Sequence, residues 1–347
     1  MLTERQQLIL QAIVADYIMH GEPVGSRTIS KHKHVGYSSA TIRNEMADLE
    51  ELGYLEQPYT SAGRIPSHQG YRFYVDNLMR PHNLDKTEIF KIRNFFTDKM
   101  VHVEEMVQRT ATILSSMTNY TSIVLGPEVT QTYLKQIQFV PLSENMAVAI
   151  LILTNGHVEN RLVRIPSNIS GSDMERLVRI LNDKLTNLPI SEVQERLHAE
   201  VAIELQRNLQ AYQQVLQMLD EMFVQDWKDQ IFLGGMTNIL MQPEFQDVHK
   251  VKALLDLLEQ RELMVSLLYP KKKGISVRIG TENSIEEMAN CSMITATYNI
   301  GGRTVGTIGI LGPTRMEYER VIGILDFMSD NLSYLLDAYY RNMADTT

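Results

Sequence analysis

The stretch Ser38-Ser39-Ala40-Thr41-Ile42-Arg43-Asn44-Glu45-Met46-Ala47-Asp48-Leu49-Glu50 carries the first decision about this chain. Ser38 or Ser39 is placed to cap a helix, and Ile42, Met46, Leu49 and Leu52 recur at helical spacing, one apolar stripe for a core. At about 100° per residue, Ala40, Asn44 and Ala47 fall opposite that stripe, with Thr41 and Arg43 beside them. The first two outer turns are therefore small or hydrogen-bonding, and the acids Asp48 and Glu51 come later. A helix that enters a major groove by its N-terminal end has this pattern. Small residues let the backbone approach, an arginine can pair with guanine or phosphate, and an asparagine can read adenine.

Working outward, Thr3 with Gln6 reads as a capping box, and Leu8, Ile9, Ala12, Ile13 and Tyr17 share one helical face that ends at Gly21. A short second helix starts near Gly25-Ser26 and turns Ile29 inward. After Gly53, Tyr54 to Gln57 reads as a strand, Pro58 to Gly63 as a tight loop and Arg64-Ile65-Pro66 as a returning strand. Ser67 then caps a closing helix. The expectation is a winged helix-turn-helix over residues 1–80, although a plain three-helix bundle with a hairpin shares the pattern.

Charge placement separates the two. The chain of 347 residues carries a net charge of −9, which by itself argues against a nucleic-acid partner. Residues 1–80 hold eight basic against nine acidic side chains, yet Pro23 to Asn44 contains Arg27, Lys31, Lys33 and Arg43 and no carboxylate. Gln57 to Val75 contains Arg64 and Arg72, again without an acid. Local exclusion of carboxylates is what phosphate contact demands. The candidate DNA contacts are Ser26, Arg27 and Thr28 at the second helix, Ser39, Ala40, Thr41, Arg43 and Asn44 on the third, and Ser61 and Arg64 in the wing.

The Ser38–Glu50 motif, with Gly53-Tyr54-Leu55 and Thr60-Ser61-Ala62-Gly63-Arg64-Ile65-Pro66, resembles the heat-inducible transcription repressor family, HrcA. So do Gly70-Tyr71-Arg72-Phe73-Tyr74-Val75-Asp76, Phe232-Leu233-Gly234-Gly235, Val277-Arg278-Ile279-Gly280-Thr281-Glu282-Asn283 and Gly312-Pro313-Thr314-Arg315-Met316-Glu317-Tyr318. The resemblance runs nearly end to end. Tyr59 stands where the family more commonly has histidine, and Ser67 where it has threonine. The resemblance implies a repressor of chaperone operons that binds an inverted-repeat operator as a homodimer. It also implies a GAF-like domain, an inserted domain that makes the dimer contact, and a chaperonin of the GroEL type that keeps the repressor active.

Beyond residue 80, Asp85 to Thr118 is helical in pattern. It reads either as a helix on its own domain's sheet or as a connecting helix that spaces two DNA-binding heads. Strand-like runs follow at Thr121 to Leu125, Lys135 to Val140, Ala147 to Leu153 and Val158 to Ile165, with Asn155-Gly156 a hairpin signal. Strand patterns resume at Leu263 to Tyr269, Ile275 to Ile279, Ser292 to Asn299 and Thr304 to Leu311, with Gly301-Gly302 another turn. Helices beside an antiparallel sheet make an α+β domain. The expected organisation is an α+β multidomain chain. The GAF-like domain takes 81–166, with its leading connecting helix, and 266–347; a helical dimerisation domain is inserted at 167–265. Within the insert, Val193 to Phe223 carries one long apolar stripe, from which Leu197, Val201, Leu205, Leu209 and Leu216 are the candidate dimer contacts.

No metal or cofactor is expected. His32 and His34 sit in a turn without carboxylate or cysteine neighbours, and Cys291 is the one cysteine, in an apolar strand. No phosphate-binding loop or nucleophile motif occurs, so an enzyme joined to a DNA-binding head is disfavoured. A regulator gated by a small effector in the GAF-like domain is the alternative. No apolar run reaches the length of a membrane span, no signal peptide opens the chain, and the single cysteine suits a reducing cytoplasm.

Overall fold

The computed structural model describes residues 2–60, 62–96, 103–127, 133–154, 158–223, 231–245, 247–269 and 272–344. Backbone contacts divide the chain into two compact units. One gathers Met1–Asp98, Val107–Leu125 and Ile231–Leu335, the other Lys99–Met106, Gly126–Gln230 and Leu336–Thr347.

The first unit opens with α1 (Glu4–His20), α2 (Ser26–Ile29), α3 (Ser39–Glu51), β1 (Leu55–Glu56), β2 (Ile65–Pro66) and α4 (His68–Phe73), which runs on as a π turn, Tyr74–Leu78. Thr3 and Gln6 form the expected capping box, and Gly21 ends α1 at φ 72°, a conformation that favours glycine. Ile9, Ile13, Ile29, Ile42, Leu49 and Leu55 are fully buried and make the core of this N-terminal part. The stripe of α3 stops at Leu49, because Leu52 caps the helix and is 51% exposed.

The helical stretch after residue 84 is two helices, α5 (Lys86–Phe95) and α6 (Val103–Thr118). Asp85 caps α5 in a capping box with Glu88. Val107, Ala111 and Leu114 of α6 are buried, and the Ser122 hydroxyl donates to the Ala111 carbonyl at 2.5 Å. Ser122 lies in β3 (Thr121–Leu125), so α6 is packed on its own sheet and is not a free connector.

The largest segment of the second unit, Gly126–Gln230, opens with β4 (Leu134–Ser143), β5 (Met146–Leu153) and β6 (Val158–Arg164), an antiparallel sheet in that order. The Asn155-Gly156 turn lies outside the described residues; the strands that flank it pair as Ile152↔Val158. Next come α7 (Gly171–Leu185), α8 (Ile190–Arg196), a π turn over Leu197–Val201, α9 (Ala202–Asn208) and α10 (Tyr212–Phe223). Ala147, Ala149, Leu151 and Leu153 alternate onto one face of the sheet and join one core with Leu177, Leu181, Leu185, Val193 and Leu219.

This arrangement corrects two expectations. The strands between 134 and 164 form their own sheet, so the insert spans Gly126–Gln230 and not 167–265. The stripe proposed for dimer contact faces inward. Leu197, Val201 and Leu205 are 0% exposed, Leu209 is buried, and Leu216 packs against the same core. The helices cover the three-stranded sheet of their own unit, which a purely helical insert would not have offered.

The chain then returns to the first unit with β7 (Ile231–Gly234), α11 (Val248–Glu259), α12 (Arg261–Leu268), β8 (Ile275–Ile279), β9 (Cys291–Ile300), β10 (Arg303–Pro313) and α13 (Tyr318–Ala344), whose residues from Leu336 on are counted with the second unit. The sheet order is β7-β3-β10-β9-β8, with every neighbouring pair antiparallel. Gly301 and Gly302, both at positive φ, make the turn between β9 and β10. The run Leu263 to Tyr269, expected as a strand, is helix α12. Its buried Met264, Leu267 and Leu268 sit at helical spacing, an ambiguity common to short apolar runs. Together with Val251, Leu254 and Leu258 of α11 they cover one face of the sheet at Ile123, Leu125, Met293 and Leu311. Cys291 is in the same core, where burial pushes its thiol up to about 12. The protein is thus α+β, and among the described residues no helix is long and apolar enough to cross a membrane.

Because Leu205 fills the interior of the second unit, Leu205→Ala should destabilise that unit by about 2–5 kcal/mol. Denaturant unfolding reads the loss directly. An unchanged midpoint would show that Leu205 is not a core residue.

Candidate nucleic-acid interface

The N-cap of α3 is Ser38, whose hydroxyl accepts from the Thr41 amide at 3.1 Å. The Thr41 hydroxyl lies 2.9 Å from the same oxygen, so it is engaged in the cap. Ile42, Met46 and Leu49 point inward, and so does Glu45, which is only 5% exposed. A buried carboxylate needs a partner. Arg5 of α1 supplies it as an ion pair, with its guanidinium also over the Tyr37 ring at 5.9 Å. What remains outward in the first turns is Ala40, Arg43, Asn44 and Ala47, all exposed, with the acids Asp48 and Glu51 exposed further along.

Helix α2 holds Arg27 and Thr28 exposed beside this face. Ser26 is buried, and its hydroxyl sits 3.0 Å from that of Ser39. Both serines were candidate contacts; the structure uses them to tie the start of α2 to the start of α3. Ser61 lies outside the described residues.

The hairpin pairs Leu55↔Pro66 and Glu56↔Ile65. Its turn is shaped by the Gln57 side-chain amide, which donates to the carbonyls of Thr60 and Ala62 at 3.1 and 3.2 Å. A third extended segment joins it, since the amides of Val24 and Arg64 each donate to the other's carbonyl at 2.9 Å. Gly63 is required there: a Cβ would meet the Val24 carbonyl oxygen at 2.4 Å.

These elements enclose a groove of about 410 Å³ lined by Arg27, Arg43, Met46, Gln57, Thr60 and Arg64, among others, with no carboxylate in its wall. Three arginines from three elements therefore converge on one concavity. Arg64 is not free in it. Its Nε donates to Glu50 Oε2 at 2.8 Å, and a terminal nitrogen lies 2.7 Å from the same oxygen. Glu50 follows the acid-free part of α3 in sequence, and nothing in the linear pattern signals that it meets the hairpin.

Arg72 is a second departure. It lies in an acid-free stretch of sequence, yet its guanidinium faces away from the groove's walls and grips Glu282 through Nε at 2.8 Å and through a second, closer contact. It also donates to the Val277 carbonyl at 2.6 Å and to Asp76 at 3.1 Å. Burial opposes ionisation of Glu282, but the bonds from Arg72 and from the Ile279 amide outweigh it and hold the carboxyl below its ordinary range. Three of the motifs set out above meet here. Tyr71 lies against Tyr318 at 5.9 Å between ring centres, and Arg315 donates to the Ile18 carbonyl at 2.7 Å.

Comparison with known proteins agrees with this architecture. Residues 104–322 match the family described as HrcA protein C terminal domain. The heat-inducible transcription repressor HrcA of Brevibacillus brevis is 51% identical over 341 residues, 98% of this chain and 100% of that protein. Those of Halalkalibacterium halodurans and Bacillus pumilus are 49% and 46% identical, each over 98% of this chain and 99% of theirs. A crystal structure of a hypothetical protein at 2.2 Å superimposes with a TM-score of 0.66 at 23% identity, covering 98% of this chain and all of the other. At that identity the likeness is one of fold.

The Glu282 carboxyl titrates lower in the folded chain than when unfolded, so its contribution to stability is complete above about pH 5 and is lost as pH falls through the folded value. Melting curves of the wild type and Glu282→Gln should differ by a constant amount from pH 5 to 8 and converge in more acidic buffer. A gap that persists into acid would mean the ion pair is not its source.

Proposed function

The chain belongs to the heat-inducible transcription repressor HrcA family, and from that premise we propose that residues 2–78 are a winged helix-turn-helix that seats α3 in the major groove of an operator. A transcription repressor is a regulator and not an enzyme; its work is to occupy DNA. The observation that carries the reading is the outer face of α3. Its first turns expose Ala40, Arg43 and Asn44, while its one early acid, Glu45, is turned inward and neutralised by Arg5.

In this reading Arg43 meets guanine or phosphate and Asn44 reads adenine. Arg27 and Thr28 meet the backbone beside them, and the hairpin is the wing. Arg64 exchanges Glu50 for a phosphate oxygen when DNA enters the groove. The five-stranded sheet with its flanking helices is the GAF-like domain, and the repressor works in the cytoplasm.

The operator is an inverted repeat and the repressor a homodimer. A second copy covers the outer face of the three-stranded sheet, in place of the helical stripe that the fold buries. That face presents three cross-strand rows: Val140, Val148 and Leu162; Gln138, Ile150 and Asn160; Gln136, Ile152 and Val158. None of the nine is charged. Leu162 is 63% exposed and Val158 47%. The same face carries a further row at one end, Ser143, Met146 and Arg164; apart from that arginine it is a patch of branched side chains and amides, self-complementary without opposing charges.

A chaperonin of the GroEL type assists the chain. Support comes from the contact distances along the sequence: β3 pairs with β10 as Leu125↔Thr307, and so distant a pairing forms slowly and leaves apolar edges open meanwhile. Adding chaperonin to refolding protein should raise the fraction that binds operator without changing affinity. Full activity without chaperonin at heat-shock temperature would remove this partner.

Arg43→Ala and Asn44→Ala should each weaken operator binding by about 1–3 kcal/mol, and Asn44→Ala should leave binding to random DNA nearly intact. Equal losses of Asn44→Ala on both DNAs would end its base-reading role. Arg64→Ala should flatten the salt dependence by about one unit; an unaltered slope would mean Arg64 stays with Glu50.

Ile150→Asp, on the outer sheet face, should give a folded monomer in sedimentation equilibrium. A dimer that survives it lies elsewhere.

A further inference from the structure

The first unit contains a junction that the DNA contacts do not explain. On one side is the N-terminal part, residues 2–78; on the other are β8, the loop after it, and the start of α13. The N-terminal part is held at three points, two of them on α4 and the π turn that continues it and one on α1. Helix α4 is held through Arg72, whose planar fork is filled by Glu282, the Val277 carbonyl and Asp76. The C-terminal end of α1 is held through the Ile18 carbonyl, which accepts from Arg315 at 2.7 Å, a cation placed where a helix leaves carbonyls unsatisfied and its dipole is negative. Arg315 is itself oriented by Glu244 at 2.5 Å. The π turn is held through the Tyr74 hydroxyl, which donates to Glu319 at 2.9 Å.

Between these polar anchors the surfaces are in close contact. Tyr71 is 2% exposed and Tyr318 fully buried. Gly280, at φ 53°, lies so near the His68 ring that a Cβ would meet it at 2.4 Å. A single ion pair would leave a hinge. Three anchors, two on α4 and its continuation and one at the end of α1, resist that turning.

We propose that this junction sets the angle at which each DNA-binding head is presented, so that Arg72, Glu282 and Arg315 are positioning residues through which the repressor measures the spacing between its two operator half-sites. The inference rests on the dimeric, inverted-repeat reading above. Its physical basis is effective concentration. Once one head is bound, the second binds as an intramolecular event, and the gain vanishes if the geometry forbids simultaneous contact. A rigid junction narrows the range of spacings that share that gain, whereas a loosened one widens it. None of the three residues touches DNA in this scheme, so each head keeps its own affinity for a half-site.

The test compares three DNAs: a single half-site, the native inverted repeat, and a repeat whose spacer is lengthened by about half a helical turn, roughly 5 base pairs. Binding is measured by fluorescence anisotropy with the full-length protein and with Glu282→Gln and Arg315→Gln, which loosen two different anchors. The wild type should prefer the native spacing by about tenfold or more. Each variant should bind the half-site as the wild type does and lose most of the spacing preference, mainly by weaker binding to the native repeat. Variants that keep the full preference would overturn the proposal. So would variants that lose half-site and full-operator binding equally, since the junction would then only support the fold of the head. A wild type that binds no half-site would instead refute the assignment of DNA binding to the head.

Discussion

The strand Thr121–Leu125 is the constraint on which this molecule turns. It is five residues long, buried along its whole length, and flanked by β7 and β10, which lie far later in the chain. A central strand of an antiparallel sheet has both rows of backbone groups to satisfy, so β3 is complete only when both neighbours have arrived. Everything between it and Ile231 must fold without drawing it away. The insert answers this by having a sheet and a core of its own, with its apolar residues alternating onto helices from the same unit. The rest of the first unit is arranged around the same strand. Helix α6 is tied to it through Ser122 and Ala111, and the Tyr298 hydroxyl donates to its last carbonyl at 2.8 Å.

The N-terminal part was the most legible in the sequence because its determinants are local. A cap, a stripe and a turn lie within a few residues of one another, so Thr3 with Gln6 and Gly21 could be assigned from short windows, and the cap of α3 narrowed to Ser38 or Ser39. The sheets were legible as strands but not as sheets. Alternation at 146–153 says that a strand has one buried face, and says nothing of which sheet it joins. The expected bounds of the insert, 167–265, therefore differ from Gly126–Gln230 by some forty residues. The stripe from Val193 to Phe223 was equally visible, but a stripe at helical spacing does not tell an internal core from an external contact. The shape of the covering sheet decides that, and here it leaves the helices no face to spare.

Charge had the same limit. Stretches free of acids marked the groove, and the structure does gather Arg27, Arg43 and Arg64 around it. The sequence could not show that Glu50 reaches Arg64 across fourteen positions, or that Arg72 finds its carboxylate 210 residues away. A window that lacks acids is not a surface that lacks them. The protein carries an excess of carboxylates, and those that meet these N-terminal arginines are paired: Glu45 with Arg5, Glu50 with Arg64, Glu282 with Arg72. Arg43 and Asn44 are left on the outer face with backbone small enough beside them for close approach.

The pairing Leu125↔Ile231 has a consequence for the history of the chain. Paired residues on adjacent antiparallel strands lie only about 5 Å apart. The chain therefore leaves the first unit and re-enters it through a gap that a two-residue turn would close. Topologically the segment Gly126–Gln230, the largest part of the second unit, is the tip of a β-hairpin, enlarged until it holds a sheet and a core of its own. Such a doorway lets an insert be lengthened, replaced or lost without moving a strand of the host sheet, so the two parts of this protein are free to diverge at different rates.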